Sequence, residues 1–189
     1  MTPFLLVLSS PSGGGKTTIA RALLQARTDV GYSVSATTRP PRPGERDGLD
    51  YHFLTGAEFE RRVVAGEFLE HATYGGHRYG TLRAEIDRVL GNGCHAVLDI
   101  EVEGARQVMD RMPDAVRVFV LPPSAKVLVE RLRSRDTETP ATRRVRLARA
   151  AEELLAVTEY DYVVVNEHLR DAVDAVGAIL DAESSRVAR

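Results

Sequence analysis

A short apolar run followed directly by a glycine-rich loop constrains this chain most. The run Phe4-Leu-Leu-Val-Leu-Ser9 has the length and continuous apolar character of a strand buried on both faces. Residues 13–15 are all glycine, and Ile19 and Leu23 then recur at helical spacing among good helix formers. A strand, a glycine-rich turn and a helix in this order predict the opening of an α/β domain.

The turn carries a phosphate-binding pattern. Ser10-Pro-Ser-Gly-Gly-Gly-Lys-Thr17 fits the P-loop motif G-x-x-x-x-G-K-[ST], except that Ser10 stands where glycine is usual. The glycines let backbone N–H groups wrap a phosphate chain, Lys16 supplies a positive charge, and the Thr17 hydroxyl can ligate Mg²⁺. A glycine-rich turn without a ligand is the alternative, but the position between a buried strand and a helix favours nucleotide binding. The predicted nucleotide-binding residues are Ser12, Gly13, Gly14, Gly15, Lys16, Thr17 and Thr18.

Further apolar runs predict more buried strands at residues 95–100, 116–121 and 162–166. Helical patterns lie between and after them, roughly at residues 82–90, 105–111, 124–133, 140–157 and 170–182. This alternation predicts an α/β fold of the P-loop NTPase type, a parallel sheet covered by helices. Asp99 ends one of the strands, where a carboxylate can hold Mg²⁺ through water, although a helix cap or a turn residue is the alternative.

Residues 33–81 break this rhythm and predict a small mixed α/β insert that supplies a second substrate site. We expect short strands at 34–37 and 51–54 and a helix at 57–64. Residues 135–142 are polar and interrupt two helices, which predicts a mobile helical lid near 131–146. The core then comprises residues 1–32 and 82–189.

Composition excludes several classes of function. Lysine and arginine total 25 and aspartate and glutamate total 27, a net charge of −2 that disfavours a nucleic-acid partner. A single cysteine, Cys94, excludes an internal disulfide and a zinc site built on paired cysteines. No apolar run approaches the ~20 residues of a membrane helix, so we expect a cytoplasmic protein without a membrane partner. Neither a monomer nor a homo-oligomer is favoured.

A proline-stiffened basic segment stands out in the insert. Thr37-Thr-Arg-Pro-Pro-Arg-Pro-Gly-Glu45 holds Arg39 and Arg42 on a loop that its prolines push into extended geometry. Two guanidinium groups held in this way suit one phosphate group. A solvated basic loop is the alternative.

These segments together resemble the guanylate kinase family, and the likeness runs from Leu5 to about Ala182. We therefore expect a single domain of this family over residues 3–183. The segments that carry the resemblance occur in the family's order. They are Ser10–Thr17, Ser33–Glu45, Gly48–Phe53, Glu67–His71, Tyr79–Thr81, Leu98–Glu101, the arginine-rich run after Val129, and Val165–Asn166.

The resemblance implies an enzyme that transfers the γ-phosphoryl group of ATP to GMP, with Mg²⁺ as cofactor and dGMP as a further acceptor. Matching positions then take the family's roles. The GMP phosphate would be bound by Arg39, Arg42, Tyr51 and Tyr79, and the guanine by Ser35, Glu70, Thr81 and Glu101. Asn166 would lie near the adenine of ATP, and Thr17 and Asp99 would serve the metal. The catalytic residues would be Lys16, Arg42, Arg131, Arg135 and Arg146.

Two positions depart from the family pattern, because Glu103 stands where glutamine is common and Asp136 follows the lid arginine where glycine is usual. The arginines without an assigned role are expected on solvated helix faces. They are Arg133, Arg143, Arg144 and Arg149.

Two other functions are open to such a chain. One is a binding module without catalysis, and the other is a P-loop kinase for a non-nucleotide phosphorylated acceptor.

Overall fold

The computed structural model describes residues 2–133 and 140–187, apart from the side chains of residues 133 and 140–146. The strands are β1 (Leu5–Ser9), β2 (Val30–Tyr32), β3 (Ser35–Thr37), β4 (His52–Phe53), β5 (Phe68–Tyr74), β6 (His77–Leu82), β7 (His95–Asp99), β8 (Val116–Leu121) and β9 (Tyr162–Val165). The α-helices are α1 (Lys16–Ala26), α2 (Gly56–Val64), α3 (Arg83–Gly91), α4 (Val102–Arg111), α5 (Ala125–Arg133), α6 (Pro140–Leu155) and α7 (Leu169–Ser184). A 3₁₀ turn spans Ala156–Glu159.

The larger sheet has five parallel strands in the order β2-β7-β1-β8-β9. Strand β1 lies at its centre, where Leu6 is paired with Val97 on one side and Val116 on the other. Parallel strands need crossover connections, and here helices make most of them and cover the two faces of the sheet. The predicted α/β fold with a helix-covered parallel sheet is confirmed.

The two faces of β1 build two separate apolar cores. Leu6 and Leu8 point to the face covered by α1 and α7, whereas Leu5 and Val7 point to the face covered by α3 and α4. This alternation follows from the two-residue period of a strand. Because the strands are parallel, the loop after β1 and the end of β7 meet at one edge of the sheet.

A second sheet belongs to the insert and has the order β4-β3-β6-β5, with β3 and β4 parallel and the other pairs antiparallel. Its strands β3 and β4 and helix α2 occur where we expected two strands and a helix. The β5–β6 hairpin and strand β2 of the larger sheet were not predicted. The hairpin docks on α4, where Gln107 Nε2 donates to His71 O (2.8 Å) and the His71 amide donates to Gln107 Oε1 (3.2 Å).

The expected lid lies partly outside the described residues. Helix α5 ends at Arg133, and the next described element is α6, which begins at Pro140. The helix expected over residues 140–157 ends at Leu155 and continues as the 3₁₀ turn. In the part of the chain that the structure describes, no helix has both the length and the apolar character to cross a membrane.

Candidate active site

The glycine-rich loop joins β1 to α1 at the carboxyl edge of the larger sheet. Gly13 and Gly15 have φ angles of 89° and 96°, which residues other than glycine rarely adopt. A Cβ atom at Gly15 would lie 2.4 Å from Asn166 Nδ2, and that amide donates to Gly14 O at 3.0 Å. Asn166, which was expected near the adenine of ATP, thus lies against the loop backbone after β9.

The serine at the first motif position fits the loop. Ser10 is buried, and a Cβ atom at Gly14 would lie 2.6 Å from Ser10 Cβ. Helix α1 starts at Lys16 with Gly15 as its N-cap, and no described side chain accepts from its first amides. Free amides at a helix N-terminus together with the helix dipole favour an anion at this position.

The residues expected to serve a metal lie in contact. Thr17 Oγ1 donates to Asp99 Oδ2 at 2.5 Å, and Tyr32 OH donates to Asp99 Oδ1 at 2.6 Å. Burial and the charge of Asp99 raise the pKa of Tyr32, so this hydroxyl stays protonated and donates. Tyr32 lies on β2 and was not predicted as a site residue.

A hydroxyl beside one carboxylate fits Mg²⁺, which takes one or two protein oxygens and completes its shell with water and substrate phosphates. Within the described ranges no group of three or more His, Cys, Asp or Glu side chains could hold a metal ion by itself. A metal held by Thr17 and Asp99 would therefore need further oxygen ligands from water or from a phosphate ligand of the loop.

Lys16 forms an ion pair with Glu101, with Lys16 Nζ at 2.7 Å from Glu101 Oε1. Burial alone would lower the pKa of Lys16, but the charge of Glu101 and their hydrogen bond outweigh it and raise that pKa. Burial would raise the pKa of Glu101, and Lys16 overcomes it and lowers that pKa. Both groups are therefore charged, and Glu101 contacts the loop lysine as well as a neighbouring cleft.

This neighbouring cleft, called the acceptor cleft below, has a volume of about 210 Å³ and lies between the insert and the carboxyl ends of β2 and β7. Five residues expected to bind GMP line it. They are Ser35, Tyr51, Glu70, Tyr79 and Glu101. Thr17 and Asp99 also line it, so the acceptor cleft adjoins the glycine-rich loop.

Glu70 is a buried carboxylate in the wall of the acceptor cleft and is only 4% exposed. It lies opposite Thr81 in the β5–β6 hairpin, and Thr81 Oγ1 donates to Glu70 Oε1 at 2.7 Å. Burial raises the pKa of Glu70 to about 7, and the hydrogen bond from Thr81 only partly opposes this. A Cβ atom at Gly104 would lie 2.6 Å from Glu70 Oε2, so this α4 glycine, which was not predicted, makes room for the carboxylate.

The two arginines of the proline-rich loop differ in their placement. Arg39 pairs with Glu45 at 2.9 Å, and its guanidinium lies over the Tyr51 ring, 5.4 Å from the centroid. The other Glu45 oxygen accepts the Arg42 backbone N–H at 2.7 Å, so one carboxylate shapes the loop. Arg39 is brought to the rim of the acceptor cleft, whereas Arg42 is exposed on the loop.

The arginines expected in the lid have different outcomes. Arg131 Nη2 donates to Asn166 O at 3.0 Å and lines a second cleft, of about 330 Å³, together with Gly13 and Gly15. Arg135 and the side chain of Arg146 lie outside the described residues. The solvated position expected for Arg149 is wrong, because Arg149 lines the acceptor cleft.

The fold and the clefts define a class. A P-loop at the carboxyl edge of a parallel sheet, next to the acceptor cleft with its buried carboxylate, is the architecture of a P-loop protein with room for two small ligands side by side. A further cleft of about 210 Å³ over the P-loop, called the P-loop cleft below, shares Thr17 and Glu101 with the acceptor cleft, so groups bound in these two clefts would face each other.

Comparisons with known proteins identify the family within this class. The guanylate kinase family model matches residues 3–183. Guanylate kinase of Frankia casuarinae is 50% identical over 176 residues, covering 93% of this chain and 96% of that protein. Guanylate kinase of Clostridium perfringens strain SM101 is 45% identical over 185 residues, covering 98% and 86%. The crystal structure of guanylate kinase from Anaplasma phagocytophilum matches with a TM-score of 0.80 at 37% identity, covering 98% of this chain and 88% of that one. The chain belongs to the guanylate kinase family.

Proposed function

We propose that this chain transfers the γ-phosphoryl group of ATP to GMP, giving ADP and GDP, and that dGMP is a further acceptor. Family membership supports the reaction. One observation of the site carries the choice of acceptor. The buried Glu70–Thr81 pair lies in a cleft that adjoins the P-loop.

Glu70 suits guanine because guanine presents its N1–H and N2–H donors side by side. An ionised Glu70 can accept both of them while Thr81 holds the carboxylate in place. Adenine carries an acceptor at N1 and would leave the buried carboxylate without that donor. An unpaired buried polar group costs about 1–3 kcal/mol and more when it is charged, which is enough to discriminate between the two bases.

The chemistry needs little from the protein beyond positioning and charge. The GMP phosphate oxygen that attacks is already ionised near neutral pH, so no general base is required. Lys16 would exchange its Glu101 partner for the outer phosphates of ATP. Thr17 and Asp99 would hold Mg²⁺, which neutralises phosphate charge when bound. Tyr32 fixes the orientation of the Asp99 carboxylate.

The remaining roles are those expected from the sequence. Arg39, Tyr51 and Tyr79 would bind the acceptor phosphate at the rim of the cleft, with Arg42 reaching it from the exposed part of the loop. The lid arginines Arg131, Arg135 and Arg146 would stabilise the charge on the transferred group. Cytoplasmic localisation and the absence of a nucleic-acid partner stay predictions.

The test is ADP release in a coupled assay with ATP, Mg²⁺ and GMP, AMP, CMP or UMP in turn. We expect turnover with GMP, loss of turnover in Lys16→Met, and loss of the preference for guanine in Glu70→Ala with ATP binding retained. A folded protein that binds ATP and turns over none of the four nucleotides would refute the proposal. That outcome would instead favour a non-catalytic binding module or a non-nucleotide acceptor.

A further inference from the structure

Helix α6 reaches both substrate sites through two side chains that lie one helical turn apart. Arg149 Nε donates to Glu153 Oε1 at 2.9 Å, the spacing of an i,i+4 pair. The other Glu153 oxygen, Oε2, accepts the backbone N–H of Ser12 at 2.9 Å. Glu153 is only 7% exposed, so α6 is attached to the P-loop by a buried hydrogen bond.

The same arginine also contacts the insert. Its guanidinium carbon lies 4.6 Å from the centroid of the Tyr74 ring on β5, within the range of a cation–π interaction. Tyr74 lines both the acceptor cleft and the P-loop cleft, so this contact lies where the two proposed substrate sites meet. A planar guanidinium can stack on the ring and keep its Nε–H for Glu153, which a lysine ammonium cannot do.

We propose that Arg149 is a positioning residue that joins helix α6 to both substrate sites, holding Glu153 on the P-loop and Tyr74 over the acceptor cleft. The series Ser12–Glu153–Arg149–Tyr74 is called the Arg149 bridge below. It connects the loop that would hold ATP, helix α6, and the insert that would hold GMP. Its proposed role in catalysis rests on the proposed function.

The bridge predicts coupled effects on GMP binding. Arg149→Met and Tyr74→Leu each remove the cation–π contact, so each should raise the KM for GMP about two- to fivefold, the loss of a partly exposed interaction of this kind. The effects of the two changes should be less than additive in the double variant, because both remove the same cation–π contact. Tyr74→Phe keeps the ring face and should recover most of the loss seen in Tyr74→Leu.

A matched control is present on another helix. Arg170 and Asp174 of α7 form an i,i+4 pair like that of Arg149 and Glu153, with 3.9 Å between Arg170 Nε and Asp174 Oδ2. The Arg170 side chain is 91% exposed. Arg170→Met should leave the KM for GMP unchanged. Full additivity of the two bridge substitutions, or an unchanged KM in Arg149→Met, would overturn the proposal.

A second readout does not depend on catalysis. The Ser12 amide proton, followed by NMR in the ligand-free protein, should exchange faster with solvent in Glu153→Gln and in Arg149→Met, because the first weakens its acceptor and the second releases that acceptor. Tyr74→Leu should leave Ser12 unaffected. An unchanged Ser12 amide in Glu153→Gln would overturn the bridge. Failure of the native protein to phosphorylate GMP would refute the proposed function and leave this measurement valid.

Discussion

Replacing Glu70 with glutamine should stabilise the protein at alkaline pH while it destroys the acceptor site. In the folded protein, burial raises the pKa of Glu70 to about 7, whereas the ordinary value is 4.5. Between these values the folded state binds more protons than the unfolded state, so the free energy of unfolding falls as pH rises through the window. A pKa difference of about 2.5 corresponds to about 3 kcal/mol of unfolding free energy. This contribution is lost as the pH rises above 7.

Glutamine removes this cost because it is neutral at every pH and its amide oxygen can still accept the hydroxyl proton of Thr81. Urea unfolding at pH 5 and pH 8 measures the effect. The stability advantage of Glu70→Gln over the native protein should grow by about 2–3 kcal/mol between these two pH values. Glu130→Gln, at an exposed position of α5, is the matched control and should show no such growth.

The same substitution tests whether Glu70 recognises guanine. An ionised carboxylate is required to accept two donors, so the native protein should bind GMP about tenfold more weakly at pH 6 than at pH 8. Glutamine would present its own N–H donors to those of guanine, and binding should fall by about two orders of magnitude at both pH values. Calorimetric titration with GMP measures both effects. Parallel stability profiles for the native protein and Glu70→Gln would refute the reasoning, because the buried carboxylate would then carry no pH-dependent cost.

Three further substitutions test the geometry of the two sites. Gly104→Ala places a methyl group 2.6 Å from Glu70 Oε2 and should raise the KM for GMP about tenfold with the KM for ATP unchanged, whereas equal effects on both would contradict the placement. Gly15→Ala meets a φ of 96° and a contact of 2.4 Å with Asn166 Nδ2, so calorimetry should detect no ATP binding, and retained binding would contradict the loop geometry. Asp99→Asn weakens the proposed binding of Mg²⁺ by Thr17 and Asp99, so half-maximal activity should require about tenfold more Mg²⁺. An unchanged Mg²⁺ requirement would exclude Asp99 as a metal-binding residue.

The elements that could be predicted from sequence are those whose signal is local and continuous. Strands β1, β7 and β8 lie at the centre of the larger sheet, so most of their residues are apolar and buried. Strand β9 was expected to be buried but lies at the edge of the sheet, where Val163 and Val165 are exposed; its apolar run still predicts a strand. The β5–β6 hairpin was missed because Glu70, His71 and Thr73 break the apolar pattern of β5, and the pairing shifts register between Phe68 and Glu70. Its one clear signal is the Gly75–Gly76 pair at the turn.

The site residues also divide into those with a local sequence signal and those without one. The P-loop was predictable because its glycines, Lys16 and Thr17 are contiguous, and Asp99 because it ends an apolar strand. Tyr32 and Gly104 act only through contacts with residues far away in the chain, Asp99 and Glu70 respectively, and nothing in their own neighbourhood marks them.

The two substrate sites are also connected electrostatically in the ligand-free protein. A buried lysine or carboxylate without a partner is strongly disfavoured, and here Lys16 and Glu101 compensate each other at 2.7 Å. Lys16 belongs to the P-loop, and Glu101 lines the acceptor cleft. In the proposed reaction, a phosphate ligand that draws Lys16 away would leave Glu101 as an anion in need of a donor, which an N–H group of guanine would supply. In the ligand-free protein, the charge proposed to bind one substrate is therefore stabilised by the charge proposed to bind the other.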